Sequence, residues 1–312
     1  MSDVEQRIAT YDANWQRILD QLEPDFAQGR DLGQLIARYD AIHDTYSGFI
    51  DQDTARSLPS VELGKFAGQD VPPNRLVVID GRYAAVSDLP EIRPVVGLVE
   101  RLADPAVDCI VEFGAGLGFN LARLRRRLGE RPITYVACEP TAAGRATAER
   151  LFAAESGFQG VARPFDYHHF DLSFLRQFRR VVAFTCHSIE QVVQLRPDFY
   201  DALLTNNVVA CAHAEPVGWQ RYRNLADEAR TLIEDRVTWA KLLPHWRFIP
   251  DDDKLVENSA KWAAGCRYNT NLLEIISRYA EAGLIRLEVL DYEAVGDNPF
   301  NPSTLIAWRR AR

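Results

Sequence analysis

The sequence predicts an α/β fold in which a mostly parallel sheet carries helices on both faces. Over residues 107–212, short apolar stretches alternate with stretches of helical period, as in parallel strands joined by helices. A glycine-rich turn at residues 114–118 directly follows the first of these apolar stretches. Two more apolar stretches, 285–292 and 303–308, lie near the carboxyl end and bring the expected number of strands to about seven.

Residues 1–89 predict an N-terminal extension made of helices and one hairpin. Apolar residues at helical spacing predict a helix over 3–22, which Pro24 is expected to end. A second helix is predicted over 32–50. Residues 75–86 predict a β-hairpin, because an Asp-Gly pair at its centre favours a tight turn.

The remaining chain, 90–312, is expected to form the main domain, with a mostly helical insertion at 216–268. Its strands are predicted at 107–113, 133–138, 159–164, 180–185, 207–212, 285–292 and 303–308. Its helices are predicted at 88–102, 117–128, 141–154 and 269–283.

The glycine-rich turn has the spacing E-x-G-x-G-x-G, from Glu112 through Gly114 and Gly116 to Gly118. Glycines let the backbone turn sharply and approach a ligand without a Cβ in the way. A dinucleotide-binding turn has the different spacing G-x-G-x-x-G, because a pyrophosphate sits at the following helix N-terminus. A carboxylate at Glu112 would repel a pyrophosphate and suits a ligand with an ammonium group and no phosphate.

A second acidic residue, Glu139, directly follows the strand predicted at 133–138. An acid at the end of the second strand of such a unit binds ribose hydroxyls through paired hydrogen bonds. The two acids and the glycines therefore predict a site for a nucleoside ligand.

The segment from Glu112 to Gly118, followed by Glu139, resembles the first two motifs of class I S-adenosylmethionine-dependent methyltransferases. In that family the glycine turn packs on the methionine and ribose part of the cofactor, and the acid before it is linked to the amino group. The resemblance covers about residues 90–312. It implies S-adenosylmethionine as cofactor and a seven-stranded Rossmann-like sheet that ends in an antiparallel pair. It also implies that the N-terminal extension and the 216–268 insertion cover the active site.

The family places an acid that binds the adenine amino group after the third strand. Asp171 is the first candidate for this role and Asp166 the second, although either also suits a helix N-cap. Thr185, at the end of the fourth strand, is assigned to the same cofactor site.

The segment after the fourth strand is densely polar, and its residues are the first candidates for catalysis. His187 is a candidate general base near neutral pH, and Glu190 is a candidate ligand for a substrate amine or hydroxyl. The alternative is that Ser188 caps a helix and Glu190 fills its first turn. After the fifth strand, His213 and Glu215 alternate with small residues, so both are expected to enter the pocket from its far side.

The closing loop 293–302 contains Asn-Pro twice and is either a substrate-recognising lid or a rigid turn. Aromatic residues of the two covers are candidates for the pocket wall. They are Tyr11, Trp15, Tyr46 and Trp219.

Composition excludes several other classes of protein. The net charge of −8 argues against a nucleic-acid partner. No apolar run is long enough to span a bilayer, and the amino end lacks the features of a signal peptide, so we expect a cytoplasmic protein with no membrane partner. The five cysteines show no C-x-x-C spacing, which argues against disulfides and a metal site. We expect a small-molecule substrate, and a homodimer is left open.

The expected reaction is direct transfer of a methyl group from the sulfonium to a nitrogen, an amine or guanidino group, of a small polar metabolite. The acid-rich set of catalytic candidates favours such a cationic acceptor. Three alternatives remain. They are O-methylation of a sugar-like or other hydroxylated molecule, an NAD(P)-dependent oxidoreductase, which Glu139 would also suit, and a catalytically silent cofactor-binding regulator.

Overall fold

The computed structural model describes residues 3–46, 65–66, 69–70, 76–86, 94–237, 242 and 250–311. The helices are α1 (Asp3–Ala27), α2 (Leu32–Tyr46), α3 (Pro94–Leu102), α4 (Phe119–Leu128), α5 (Ala142–Ala153), α6 (Asp198–Thr205), α7 (Arg223–Glu234), α8 (Leu255–Cys266) and α9 (Leu272–Glu281). The strands are β1 (Lys65–Phe66), β2 (Gln69–Asp70), β3 (Leu76–Ile79), β4 (Arg82–Ala85), β5 (Cys109–Phe113), β6 (Thr134–Cys138), β7 (Gly160–Arg163), β8 (Val181–Cys186), β9 (Val208–Glu215), β10 (Ile285–Gly296) and β11 (Ser303–Arg310).

The main sheet has nine strands in the order β4-β3-β10-β11-β9-β8-β5-β6-β7. The five strands from β7 to β9 run parallel to one another, whereas β11 and β10 are antiparallel to their neighbours. The predicted α/β fold, with parallel strands, helices on both faces and a final antiparallel pair, is therefore confirmed, but the sheet has nine strands and not the predicted seven. The strand order reverses between β5 and β8, and at such a point an open sheet forms a ligand-binding crevice beyond the strand ends.

The other two strands of the main sheet come from the hairpin that the sequence places in the N-terminal extension. Strands β3 and β4 form this hairpin around Asp80 and Gly81, which both have positive φ, as an Asp-Gly turn of this kind requires. Strand β3 then pairs with the end of β10. The hairpin is part of the sheet, so it does not belong to a separate cap. Pairing with β10 raises the strand number from seven to nine.

Helix α1 extends beyond its predicted end. Pro24 lies inside the helix, which continues to Ala27. The turn after the proline is held by its own contacts, because the Pro24 carbonyl accepts a hydrogen bond from Gln28 N at 3.1 Å. The Asp25 carboxylate also accepts ion-pair contacts from Arg30 and Arg38. The loss of one amide donor at the proline is offset by these local bonds.

Each face of the sheet carries its own apolar core. One core contains the buried residues of α2 to α5, such as Leu35, Val99 and Leu124. The other contains those of α6 and α9, such as Phe199 and Ile276. Helices cover both faces, so the polar side chains that follow the strands are left at the sheet's carboxyl edge.

The insertion is helical where the structure describes it. Helices α7 and α8 pack against each other through small residues and the fully buried Trp219. Residues 238–241 and 243–249 of the insertion lie outside the described residues, as do 87–93, where the sequence predicts the start of α3. Among the helices that are described, none combines the length and the apolar character needed to cross a bilayer.

Candidate functional site

The three glycines after β5 all have positive φ, but each has a different neighbour. A Cβ on Gly114 would overlap the Ser188 side chain, and a Cβ on Gly118 would lie 2.9 Å from the Ala148 Cβ of α5. These two glycines allow other parts of the chain to pack closely. A Cβ on Gly116 would instead face Trp15 of α1, at 3.4 Å from its ring. Gly116 is therefore the only one of the three where a Cβ would make an ordinary contact and no overlap.

Two cavities meet at this turn. The first, of about 320 Å³, is lined by Glu139, Phe165 and Asp166, among others. The second, of about 400 Å³, is lined by Glu112, Glu190 and the closing loop, among others. Both cavities share the same five wall residues, which are Tyr11, Trp15, Gly114, Gly116 and His187. A ligand that occupies both cavities would pass over the glycine turn.

The two predicted acids each border one cavity. Glu112, at the end of β5, is almost fully buried, and its Oε1 accepts a hydrogen bond from Asn120 Nδ2 at 2.8 Å. Asn120 is the second residue of α4, so the Glu112 charge lies at the helix N-terminus, where a bound pyrophosphate would have to sit. This geometry opposes phosphate binding at that turn.

The Glu139 carboxylate links the glycine turn to the start of α5. It accepts hydrogen bonds from Gly116 N at 2.8 Å, from Thr141 N at 3.1 Å and from Thr141 Oγ1 at 2.6 Å. Burial raises the pKa of Glu139, and these donors oppose the shift. A carboxylate offers about four acceptor positions, so one remains for a ligand hydroxyl. A second hydroxyl would have to replace Gly116 or Thr141.

The two acids after the third strand differ in position. Asp166 lines the first cavity, and its Oδ1 accepts a hydrogen bond from His168 N at 2.9 Å. Asp171 is exposed and accepts both the Ser173 amide and hydroxyl, so it caps the short 3-10 turn 173–177 and lines neither cavity. The structure therefore reverses the predicted order, and Asp166 is the acid beside the cavity.

His187 adopts a left-handed backbone conformation, with φ of 50°, directly after β8. Its Nδ1 is 3.0 Å from Glu190 Oε2, and its Nε2 is 2.8 Å from Ser303 Oγ. Burial lowers the pKa of His187, but the charge of Glu190 and the hydrogen bond to it outweigh this effect and raise the pKa to about 9. The raised pKa favours the protonated imidazole at neutral pH, which disfavours the predicted role of His187 as a general base there.

The His187 ion pair predicts a pH-dependent stability. Its folded pKa of about 9 lies above the ordinary value of 6.5, so the pair contributes fully below about pH 6.5 and loses its contribution as the pH rises through 9. We expect the melting temperature of the wild-type protein to fall more between pH 7.5 and pH 10 than that of His187→Gln. An exposed histidine provides the control, since His169→Gln should keep the wild-type slope. Equal slopes in all three proteins would contradict the ion pair.

Glu190 is held by several donors at once. Its Oε2 also accepts a hydrogen bond from Asn301 Nδ2 at 3.2 Å, and its Oε1 accepts one from Gln191 Nε2 at 2.7 Å. Glu190 therefore ties the turn after β8 to the closing loop. With these bonds in place, its role in the structure is to position His187 and Asn301 at the wall of the second cavity.

His213 and Glu215 do not enter either cavity. His213 is fully buried, with its ring nitrogens 2.9 Å from Thr185 Oγ1 and 2.8 Å from Tyr200 Oη, and burial lowers its pKa to about 3. Thr185 is equally buried and faces this histidine. The expectations that His213 enters the pocket and that Thr185 borders the cofactor are corrected. Both side chains lie in the core behind the cavity wall.

Glu215 is also fully buried and organises the turn 189–191. Its carboxylate accepts the backbone amides of Ser188, Ile189 and Glu190 at 3.1–3.2 Å. Burial and the nearby charge of Glu190 raise its pKa. The expectation that Glu215 points into the pocket is therefore wrong, because its oxygens are directed at this backbone. It positions the residues that do line the cavities.

Helix α1 supplies wall residues that the sequence identifies only in part. Tyr11 and Trp15 line both cavities, whereas Trp219 is buried core and donates its indole N–H to Pro216 O. The Tyr46 side chain lies outside the described residues. Arg7, which the sequence did not single out, anchors α1 by donating to the Gln191 side chain and to Cys266 O at 2.9 and 3.0 Å.

Two further residues at the site were missed. Ser188 Oγ donates to Phe113 O at 2.6 Å and pairs with Tyr167 Oη at 2.7 Å, which fixes the turn after β8 against the end of β5. The sequence names Ser188 only as a possible helix cap, but its side chain makes no cap hydrogen bond. Trp262 of α8 stacks on Phe300 of the closing loop, with ring centroids 5.0 Å apart.

No protein-family model matches the chain, and no curated protein matches it. Among solved structures, similar folds include a geranyl diphosphate methyltransferase in complex with geranyl diphosphate and sinefungin, at 12% identity and a TM-score of 0.44 over 70% of this chain and 78% of that one. The N-terminal domain of EvdMO1 with S-adenosylhomocysteine bound is 15% identical, with a TM-score of 0.41 over 84% and 95%.

An O-methyltransferase family protein from Burkholderia thailandensis is 15% identical, with a TM-score of 0.39 over 70% of this chain and 55% of that one. At these identities and TM-scores, the similarities do not identify the reaction of the chain.

Proposed function

We propose that the protein is an S-adenosylmethionine-dependent methyltransferase that acts on a nitrogen of a small molecule. The observation that carries this proposal is the pair of cavities that meet at Gly116, one bordered by Glu139 and the other by Glu112. A nucleoside fits the first, which offers a carboxylate acceptor and the apolar walls Phe165 and Val192. A charged amino group fits beside Glu112 in the second.

S-adenosylmethionine supplies an electrophilic methyl group when it is bound. The chain's own residues position the two reactants and exclude water. Tyr11 and Trp15 cover the glycine turn where the two cavities meet, and Glu215 and Glu190 fix the turn that carries His187. These residues act through alignment, which is the main requirement of a direct displacement.

The acid–base groups of the site favour nitrogen over oxygen as the acceptor. A hydroxyl needs a base to become a competent nucleophile. His187 has its pKa raised to about 9, and Glu215 accepts three backbone amides outside both cavities, so neither serves that purpose. An amine that binds as its ammonium form must also lose a proton before its lone pair can attack, but an ammonium group releases that proton to water far more readily than a hydroxyl does. This supports the amine acceptor over the sugar-like hydroxyl.

The dinucleotide alternative is opposed by the position of Glu112. Its carboxylate lies at the N-terminus of α4, bound by Asn120, where a pyrophosphate would need positive potential. Gly114 and Gly116 line both cavities, but of the two only Gly116 has room for a Cβ. An oxidoreductase would therefore have to bind its phosphates elsewhere.

Calorimetry tests the cofactor directly. We expect S-adenosylhomocysteine and S-adenosylmethionine to bind at micromolar concentrations, and NAD and NADP not to bind. Methyl-labelled cofactor incubated with a panel of small amines should then give labelled product. Binding of NAD without binding of S-adenosylhomocysteine would overturn the proposal. Cofactor binding with label appearing only on alcohols would overturn the nitrogen acceptor.

A further inference from the structure

The second cavity has two kinds of wall. One is the glycine turn, with Glu112 before it. The other is formed by the closing loop 297–302 and by the carboxyl end of α8, and it contains Asp297, Trp262 and Tyr268. In the methyl-transfer reaction proposed above, the acceptor molecule would lie against this second wall.

The closing loop is a fixed part of this wall. Asn298 Oδ1 accepts a hydrogen bond from Phe300 N at 2.9 Å, and the backbone carbonyl of Asn298 accepts one from Asn301 N at 3.1 Å. Asn301 also donates to Glu190, and Ser303 bonds His187. The stack of Phe300 on Trp262 joins the loop to α8. A side chain on this loop is therefore held in place before any ligand arrives.

Asp297 is the carboxylate of the loop, and its acceptor positions are open. It is half-buried, and no donor within the described residues hydrogen-bonds to it. The other two carboxylates of the cavity are bound, Glu112 by Asn120 and Glu190 by His187, Gln191 and Asn301. Asp297 can therefore take a ligand's donor without breaking an existing hydrogen bond.

The cations of the cavity do not satisfy Asp297. His187 lies close enough for the Asp297 charge to act on it, but its two nitrogens are bound to Glu190 and Ser303. Arg123 is almost fully buried and ion-pairs with Asp40. Among the residues that the structure describes, three carboxylates therefore face one imidazolium and one guanidinium that is already paired. The cavity is left with excess negative charge.

Aromatic side chains complete this environment. The walls include Tyr11, Trp15, Tyr39, Trp262 and Tyr268. Aromatic rings attract a cation at their faces, and the attraction increases when water is excluded. An open carboxylate in an aromatic cavity is therefore complementary to an ammonium group that is attached to an apolar body.

From this arrangement, and resting on the proposed methyl transfer, we propose that Asp297 binds the acceptor in its ammonium form, so that the substrates are primary or secondary amines with a compact apolar or aromatic body. The ammonium group passes one proton to the Asp297 carboxylate or to solvent, and the free amine then carries the lone pair that takes the methyl group. Asp297 then selects substrates that carry an ammonium group, and the aromatic walls select the apolar part of the substrate. A neutral alcohol of the same shape would leave the carboxylate without an ion pair. A carboxylate ligand would be repelled.

Three probes of the same shape test this proposal, namely benzylamine, benzyl alcohol and benzoate. Their binding to the full chain saturated with S-adenosylhomocysteine can be measured by ligand-observed NMR titration. We expect benzylamine to bind about tenfold more tightly than benzyl alcohol, as for one well-placed charge pair, and benzoate least tightly.

Asp297→Asn keeps the shape of the side chain and removes its charge, so it should abolish the preference for the amine. Asp291→Asn is the matched control, because Asp291 is exposed on β10 and lines neither cavity. It should keep the wild-type preference. An amine preference that survives in Asp297→Asn, or equal binding of amine and alcohol to the wild-type protein, would overturn the proposal.

The affinity for S-adenosylhomocysteine, measured in the same three proteins, reports on the cofactor site alone. It should be the same in all three, because Asp297 belongs to the closing loop and not to the glycine turn with its two flanking acids. Failure of the cofactor to bind the wild-type protein would contradict the proposed function. Normal cofactor binding together with no amine preference in the wild-type protein, or with an amine preference that survives in Asp297→Asn, would contradict the role of Asp297.

Discussion

Replacement of Gly116 by valine should reduce the affinity for S-adenosylhomocysteine at least about 100-fold. The position has a φ of 52° and faces the junction of the two cavities, where an added Cβ would already lie 3.4 Å from the Trp15 ring. The two further methyl groups of valine would occupy the space that a ligand needs to pass over the turn. A fixed side chain in the cavity prevents the ligand from making its contacts with the turn. A 100-fold loss of affinity corresponds to about 2.8 kcal/mol of binding free energy. Titration calorimetry with S-adenosylhomocysteine measures this loss of affinity.

A second substitution separates lost binding from backbone strain. Gly283 also has a positive φ, of 69°, and has open space around its Cα. Valine there carries a similar conformational cost, because a β-branched residue is disfavoured in this region. Gly283→Val and Gly116→Val should therefore both melt at lower temperature than the wild type, but Gly283→Val should keep full affinity. Normal affinity in Gly116→Val would remove the glycine turn from the cofactor site.

The parts of the fold that follow from local chemistry could be predicted from the sequence. The strand, glycine turn and helix around Gly114 to Gly118 depend on residues that are close in the chain, and so does the Asp80-Gly81 hairpin. Buried strands also need apolar residues on both faces, which makes β5, β6 and β8 easy to recognise. Pairing of the hairpin with β10 could not be predicted, because it joins residues more than 200 positions apart.

The site itself was predicted less completely, for the same reason. Alternation along β9 correctly predicts that His213 and Glu215 lie on the same side of the strand. It does not predict which groups they contact there. Tyr200 and Thr185 occupy the space beside His213, and the turn 188–190 occupies the space beside Glu215. A sequence pattern gives the direction of a side chain relative to its strand. Which groups it meets depends on how the neighbouring segments pack.

The pKa of His187 is another property that the sequence pattern does not predict. A histidine after a strand has an ordinary pKa near 6.5, which suggests a base. The contact with Glu190 raises the pKa and removes that role. The spacing of three residues between His187 and Glu190 is visible in the sequence, but the left-handed conformation that brings them together is not.

Trp15 of α1 provides a test of the prediction that the N-terminal region covers the pocket. Its ring lies over Gly116, packs 5.7 Å from the Tyr11 ring and lines both cavities. Replacement by alanine should open the first cavity to water and remove the contact that covers the turn. Large aromatic side chains in the middle of a binding site contribute most when they exclude water, so we expect the affinity for S-adenosylhomocysteine to fall about 10- to 100-fold.

Phe26 is the matched control for this substitution, because it lies on the same helix, packs under Arg150 and lines neither cavity. Phe26→Ala should lower stability without changing affinity, and Trp15→Phe should restore most of the binding. Hydrogen exchange offers an independent measurement, in which S-adenosylhomocysteine should increase the protection of α1 in the wild-type protein and less so in Trp15→Ala. If protection rises only around residues 112–118 and 139, and Trp15→Ala binds normally, α1 is a structural helix and the ligand is covered from another side.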